Sequence, residues 1–129
     1  MEYSVYFYFI NDELVYIGKT NNIAKRLTQH KTKDYLDYCK VNHILFMVFD
    51  SEGDALDFER YYTRHFQPRL NISNKDCIPK SYKLPEQELF PYAKIPHNIF
   101  EEFEHNDEIT YCTKVLIPNF QKKIHNISL

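Results

Sequence analysis

Tyr16-Ile17-Gly18-Lys19-Thr20 sets a phenol two positions before a glycine and a cation directly after it. Ten residues upstream stands Tyr6, and a helix-like stretch downstream carries Arg26 and His30 one turn apart. Working outward, Tyr3 to Ile10 is nearly all aromatic or β-branched and reads as a strand at the centre of a sheet. Asn11-Asp12 supplies a turn, Leu14 to Ile17 a second short strand, and the two form an antiparallel hairpin. Period-two geometry puts Tyr6 and Tyr8 on one face and Val5, Phe7 and Phe9 on the other. Gly18 is expected to end the second strand, where the backbone turns or approaches something closely.

Asn21 or Asn22 caps a helix predicted to run through about Thr32. Ile23, Ala24 and Leu27 are expected to face the core, while Asn22, Arg26, His30 and Lys33 share another surface. His43 to Phe49 is a third strand candidate. Ser51-Glu52-Gly53-Asp54 resembles a capping box and starts a helix to about Phe66, stopped by Pro68, with Ala55, Phe58, Tyr62 and Phe66 inward. Pro68-Arg69-Leu70-Asn71 leaves it as a strand or turn.

Beyond Lys75 the pattern weakens. Pro79, Pro85, Pro91 and Pro96 punctuate an aromatic, acidic segment that wraps the core irregularly, with a short helix expected near Asn98 to Phe103 and a strand near Ile109 to Ile117. The fold class is α/β (α+β): about three antiparallel strands flanked by helices, with a core over residues 1–75 and an extension over 76–129 packed on or beside it.

At 129 residues with 43% hydrophobic and 16% aromatic side chains, the chain is a folded domain with a modest core. A net charge of −2 gives no global pull toward nucleic acid, so affinity must come from a patch. Between Leu14 and Lys33 there is no acid, whereas Lys19, Lys25, Arg26, Lys31 and Lys33 are cationic. Acids gather instead at Glu101, Glu102, Glu104, Asp107 and Glu108. Cys39, Cys77 and Cys112 are odd in number and widely spaced, which favours free, packed thiols in a reducing compartment and no zinc site. The start carries no signal-peptide pattern, and no apolar run approaches the roughly 18 residues of a membrane span. A cytoplasmic protein without membrane partners is expected. With two glycines, a glycine-rich phosphate cradle is excluded.

In order and spacing these residues resemble the GIY-YIG nucleases. Ser4-Val5-Tyr6 stands where the first motif falls, with serine for glycine, and Tyr16-Ile17-Gly18 matches the second. Arg26 and His30 stand at the family's helix arginine and its histidine or tyrosine. Ala55-Leu56-Asp57-Phe58-Glu59 through Phe66-Gln67-Pro68-Arg69-Leu70-Asn71 is similar to the later element, whose glutamate holds a metal and whose P-x-L-N segment closes the site. The resemblance covers roughly residues 3 to 71. It implies an endonuclease acting on nucleic acid, DNA in preference to RNA, and a virus or mobile element would suit a nuclease of this size.

Phosphodiester hydrolysis needs an activated water and neutralised phosphoryl charge. Tyr6 is a candidate base if neighbouring cations lower a phenol pKa that starts near 10, with Tyr16 and His30 to relay or share the proton. The sequence does not rank these three. Arg26 would fork onto non-bridging oxygens and Lys19 would add charge. Gly18, Lys19, Lys25 and Asn71 are the candidate substrate contacts, and Asn71 would orient a neighbour or touch the nucleic-acid backbone. Glu59 is the candidate ligand for one Mg²⁺, with Mn²⁺ a substitute, because Mg²⁺ takes few protein ligands and keeps its waters. Taken singly each residue has an ordinary explanation, as a packed tyrosine, a solvated helix face or a surface acid. The rival function is a binding module that kept the fold without turnover. The extension leaves room for a homodimer or a protein partner.

Overall fold

The computed structural model describes residues 2–33, 35–72, 88–92 and 107–125. Strands β1 (Tyr3–Ile10) and β2 (Glu13–Thr20) are followed by α1 (Ile23–Lys33), a 3-10 turn (Tyr35–Lys40), β3 (His43–Phe49) and α2 (Glu52–Phe66). A two-residue strand β4 (Phe90–Pro91) completes the sheet, and the chain is helical over 107–125, with π geometry at Cys112–Leu116 and α3 over Ile117–His125. The sheet has four strands in the order β2-β1-β3-β4, each neighbouring pair antiparallel. The fourth lies beyond the three expected, and its Pro91 is tolerated because β4 is an edge.

Asn11 and Asp12 both take positive φ, which matches the right-handed strand twist and makes the tight expected hairpin. The register slips between Tyr8 and Phe9: Tyr8 faces Tyr16 whereas Phe9 faces Leu14, leaving Val15 as the extra residue. The bulge changes the alternation of β2, so that Leu14 and Ile17 both pack on the Phe7 face while Val15 and Tyr16 pack on the Tyr6 face. β2 also runs on past Gly18 to Thr20, longer than the expected strand.

Each face of the sheet has its own cover. Val5, Phe7, Phe9, Leu45 and Met47 pack with α2, through Ala55, Tyr61 and Tyr62, and with the C-terminal helix, through Cys112, Leu116, Phe120 and Ile124. Tyr6, Tyr8 and Val15 pack with Leu27 of α1, Tyr38 and Ile44. The period-two division of β1 therefore holds. Ser51 caps α2 by accepting from the Asp54 amide, and Gln67 closes it in the left-handed region with its N–H on Thr63 O.

The strand expected over Ile109 to Ile117 is helical instead. β-Branched Ile109, Val115 and Ile117 favour a strand locally, but Cys112, Leu116, Phe120 and Ile124 recur every four residues and are all buried. Phe120 meets Phe7 and Phe9 at ring distances of 5.0 and 5.4 Å, and burying such a ring, worth about 1.5–3 kcal/mol, outweighs propensity differences of a few tenths. Pro118 lacks an N–H, and just before it the ladder widens so that Ile117 N–H reaches Cys112 O. The helix expected near Asn98 to Phe103 and Cys77 lie outside the described residues. Cys112 is a buried thiol and Cys39 is exposed. Among the described residues no helix is long and apolar enough to cross a membrane.

Candidate active site

The antiparallel register brings Tyr6 opposite Gly18 and Tyr8 opposite Tyr16, so three phenols share one face of two strands. Their ring centroids lie 5.2 Å apart for Tyr6 and Tyr8, 6.0 Å for Tyr6 and Tyr16, and 5.6 Å for Tyr8 and Tyr16. Gly18 is what lets Tyr6 lie across β2: a Cβ there would stand 2.3 Å from both Cζ and Oη of Tyr6. The expected close approach is thus to the site's own phenol.

Thr20 and Asn22 exchange hydrogen bonds that turn the chain out of β2. The Asn22 side chain then accepts from the Lys25 amide as N-cap of α1. Leu27 and His30 are the buried residues of that helix, whereas Ala24 and Lys33 are exposed, so the surface expected to carry His30 with Arg26 and Lys33 is not formed. The buried stripe passes through Leu27 and His30 because the tyrosine face offers polar oxygens that can satisfy an imidazole. Tyr8 Oη lies 2.6 Å from His30 Nδ1, and the His30 ring stands edge-on to Tyr6, Tyr8 and Tyr16 at 6.2, 5.7 and 6.3 Å.

Arg26 lies at the border of this face, half-buried. Among the described residues it makes no ion pair, yet its charge acts on Tyr6, Tyr8 and His30, lowering the pKa of each. It also lines an open polar cavity of about 330 Å³ with Tyr3, Lys19, Thr20, Asn21 and Glu52. Lys19 is paired there with Glu52 at 3.0 Å, at the start of α2. Lys25 stands exposed on α1 and does not line the cavity.

Glu59 is half-buried on α2, and its charge acts on Tyr6 as the smallest of the influences on that phenol. Asn71 is buried and its side chain is spent on β2: Oδ1 accepts from Ile17 N–H at 2.9 Å and Nδ2 donates to Ile17 O at 2.9 Å. Leu70 N–H adds a bond to Val15 O, so the 68–71 turn seals the open edge of the strand that carries Tyr16 and Gly18. Of the two roles expected for Asn71, the geometry is that of orienting a neighbour.

The electrostatics reverse one expectation. Burial pushes the Tyr6 phenol far up, Tyr16 and Glu59 push it the same way, and the opposing pull of Arg26 does not compensate. Its buried hydroxyl is poorly satisfied: Tyr16 is a hydrogen-bonding neighbour, but at a geometry short of a full bond. A buried hydroxyl left this way costs about 1–3 kcal/mol, and such groups concentrate at sites of function. His30 is held below its ordinary value by burial and then by Arg26, which keeps the imidazole neutral at pH 7. Tyr8 is the member that the sequence reading missed as a site residue. Its signal was already present, since it alternates with Tyr6 on one strand face.

The GIY-YIG catalytic domain matches residues 2–73. The chain belongs to the GIY-YIG family. Similar proteins include UvrABC system protein C of Porphyromonas gingivalis, 35% identical over an alignment of 93 residues that covers 67% of this chain and 16% of the relative. The protein of the same name from Christiangramia forsetii is 33% identical over 97 residues, 67% of this chain and 16% of the relative. That from Rickettsia rickettsii is 36% identical over 74 residues, 53% of this chain and 11% of the relative. The chain thus spans about a sixth or less of these longer proteins. No solved structure matches it significantly. Membership in this family of nucleases supports a nuclease function for the GIY-YIG core.

Proposed function

We propose that the protein is an endonuclease that hydrolyses phosphodiester bonds in DNA with the help of one divalent cation. The observation that carries this reading is Arg26: a half-buried guanidinium with no carboxylate partner among the described residues, lining a polar cavity and acting electrostatically on the phenols of Tyr6 and Tyr8. Such a cation wants an anion, and its planar fork matches the non-bridging oxygens of a phosphodiester. Lys19 lines the same cavity, and its partner Glu52 is exposed enough to yield to a phosphate. DNA as the polymer rests on the resemblance to the GIY-YIG nucleases.

The residues fit an Mg²⁺ ion in one respect. No group of three or more ligating side chains is present among the described residues, but Mg²⁺ needs only one or two carboxylates and completes its shell with water and phosphate. Glu59, whose charge acts on the buried Tyr6 phenol, would hold it. When bound, the ion supplies positive charge that neutralises phosphoryl oxygens and draws down the pKa of nearby phenols. Arg26 would hold the scissile phosphate, one of Tyr6 or Tyr16 in its ionised form would orient the attacking water and take its proton, and α1 with the Tyr38 face excludes bulk solvent from the phenols.

Burial of the Tyr6 hydroxyl favours one competing reading, a module that holds nucleic acid without turnover. Nicking of supercoiled plasmid with Mg²⁺ or Mn²⁺, compared between wild type and Glu59→Ala, separates the two. Nicking by the wild type alone supports the nuclease. Binding without nicking by the wild type means the silent module, and equal nicking by both preparations removes Glu59 as the metal ligand.

A further inference from the structure

We infer that Tyr8 is a positioning residue: its phenol holds His30 in the form that carries its proton on Nε2, so His30 enters the site as a hydrogen-bond donor and not as the base. The bond between Tyr8 Oη and His30 Nδ1 spans 2.6 Å across 22 residues of sequence, and both side chains are buried. Among the described residues it is the one hydrogen bond made by Tyr8 Oη. A phenol has one proton and a neutral imidazole has one N–H, which leaves two ways to share this bond.

If Nδ1–H donated to the phenol, the phenolic hydrogen would be buried with no acceptor among the described residues. If the phenol donates to Nδ1, only an oxygen lone pair goes unmet. A stranded buried donor is the costlier of the two, because an oxygen that already makes one bond tolerates an empty lone pair. Burial raises the Tyr8 pKa and so keeps the proton on the phenol, while burial and Arg26 keep His30 neutral. Nδ1 is therefore the acceptor and Nε2 the protonated nitrogen.

Packing fixes the geometry as well as the protons. The Tyr8 ring meets His30 at 83° and 5.7 Å, and Tyr38 closes on it at 72° and 5.7 Å. The phenol thus cannot swing away without opening the face between α1, the 3-10 turn and the sheet. A protonated Nε2 cannot take a proton from water, so His30 is a donor to a phosphoryl oxygen or to a neighbouring phenol, and the base falls to Tyr6 or Tyr16. The catalytic part of this inference rests on the proposed nuclease reading; the tautomer does not.

The test is ¹⁵N NMR of the full-length protein labelled at histidine, at neutral pH, with Tyr8→Phe beside the wild type. The expected wild-type spectrum shows His30 protonated at Nε2 alone. In Tyr8→Phe, which keeps the ring, His30 should populate both tautomers, and single-turnover nicking should fall several-fold with DNA binding unchanged. A wild-type proton on Nδ1 overturns the inference, as does a variant whose tautomer is unaltered. A redistributed tautomer with an unaltered nicking rate removes Tyr8 as a positioning residue for catalysis. Absence of any cleavage by the wild type defeats the nuclease reading, while the spectrum still decides the tautomer.

Discussion

The two glycines of this chain should respond in opposite directions to the same substitution, because the space at their Cβ positions differs. Neither has positive φ, so alanine is conformationally acceptable at both and would gain about 0.5–1 kcal/mol where there is room. At Gly53 the nearest atom is Ser51 Oγ at 3.6 Å, an ordinary contact, and Gly53→Ala should stabilise α2 by that amount. At Gly18 the new methyl would stand 2.3 Å from Tyr6 Cζ and Oη and 2.8 Å from Cε2. The Tyr6 ring is fully buried and flanked by Tyr8 and Tyr16, so it cannot simply step aside. Overpacking of this kind costs about 1–3 kcal/mol, which offsets the gain and leaves a net loss of up to about 2.5 kcal/mol. For a chain of this length that is a fall of up to about 10 °C in melting temperature. A ring displaced by about 1 Å should also cut nicking by about 10²-fold. In a Tyr6→Ala background the clash partner is gone, so Gly18→Ala should become neutral or stabilising, a coupling of about 1–3 kcal/mol in a double-mutant cycle. Thermal melts and plasmid nicking on the four proteins decide it. A Gly18→Ala protein as stable as Gly53→Ala, with wild-type nicking, would refute the claim that Gly18 exists to seat Tyr6.

Three further outcomes follow from the site. Arg26→Ala should lower nicking by about 10²–10³-fold with the fold intact, and Arg26→Lys should recover only part because an ammonium lacks the fork. The same loss of charge should raise the His30 pKa toward its ordinary value, read by NMR titration. Asn71→Ala strips both bonds from Ile17 and exposes the edge of β2, so it should cost about 2–4 kcal/mol by denaturant unfolding; a loss under about 1 kcal/mol would mean the turn seals the edge without it. Because the folded His30 pKa lies below the unfolded value near 6.5, its contribution is present above about pH 6.5 and is lost as pH falls toward the folded value, at up to about 1.4 kcal/mol per pH unit. His30→Gln should flatten that part of the stability profile, and superimposable profiles below about pH 6.5 would contradict burial of a neutral imidazole.

Local order along the chain was enough for β1, β3, α2 and the division of tyrosines from phenylalanines on β1, because periodicity, caps and turn residues act over a few positions. The spacing of Tyr6, Tyr16, Gly18, Arg26 and His30 carried the family, and residues 2–73 match it. Other features depend on partners far apart in the chain. Asn71 reaches Ile17 across 54 residues, and Tyr8 reaches His30 across 22. Whether His30 faces solvent or the phenols, and whether Ile109 to Ile117 extends or coils, was decided by which apolar or hydrogen-bonding surface the rest of the fold offered. Local propensity differs by tenths of a kcal/mol, whereas burying a ring or stranding a polar atom is worth one to three, so at those positions tertiary packing chose.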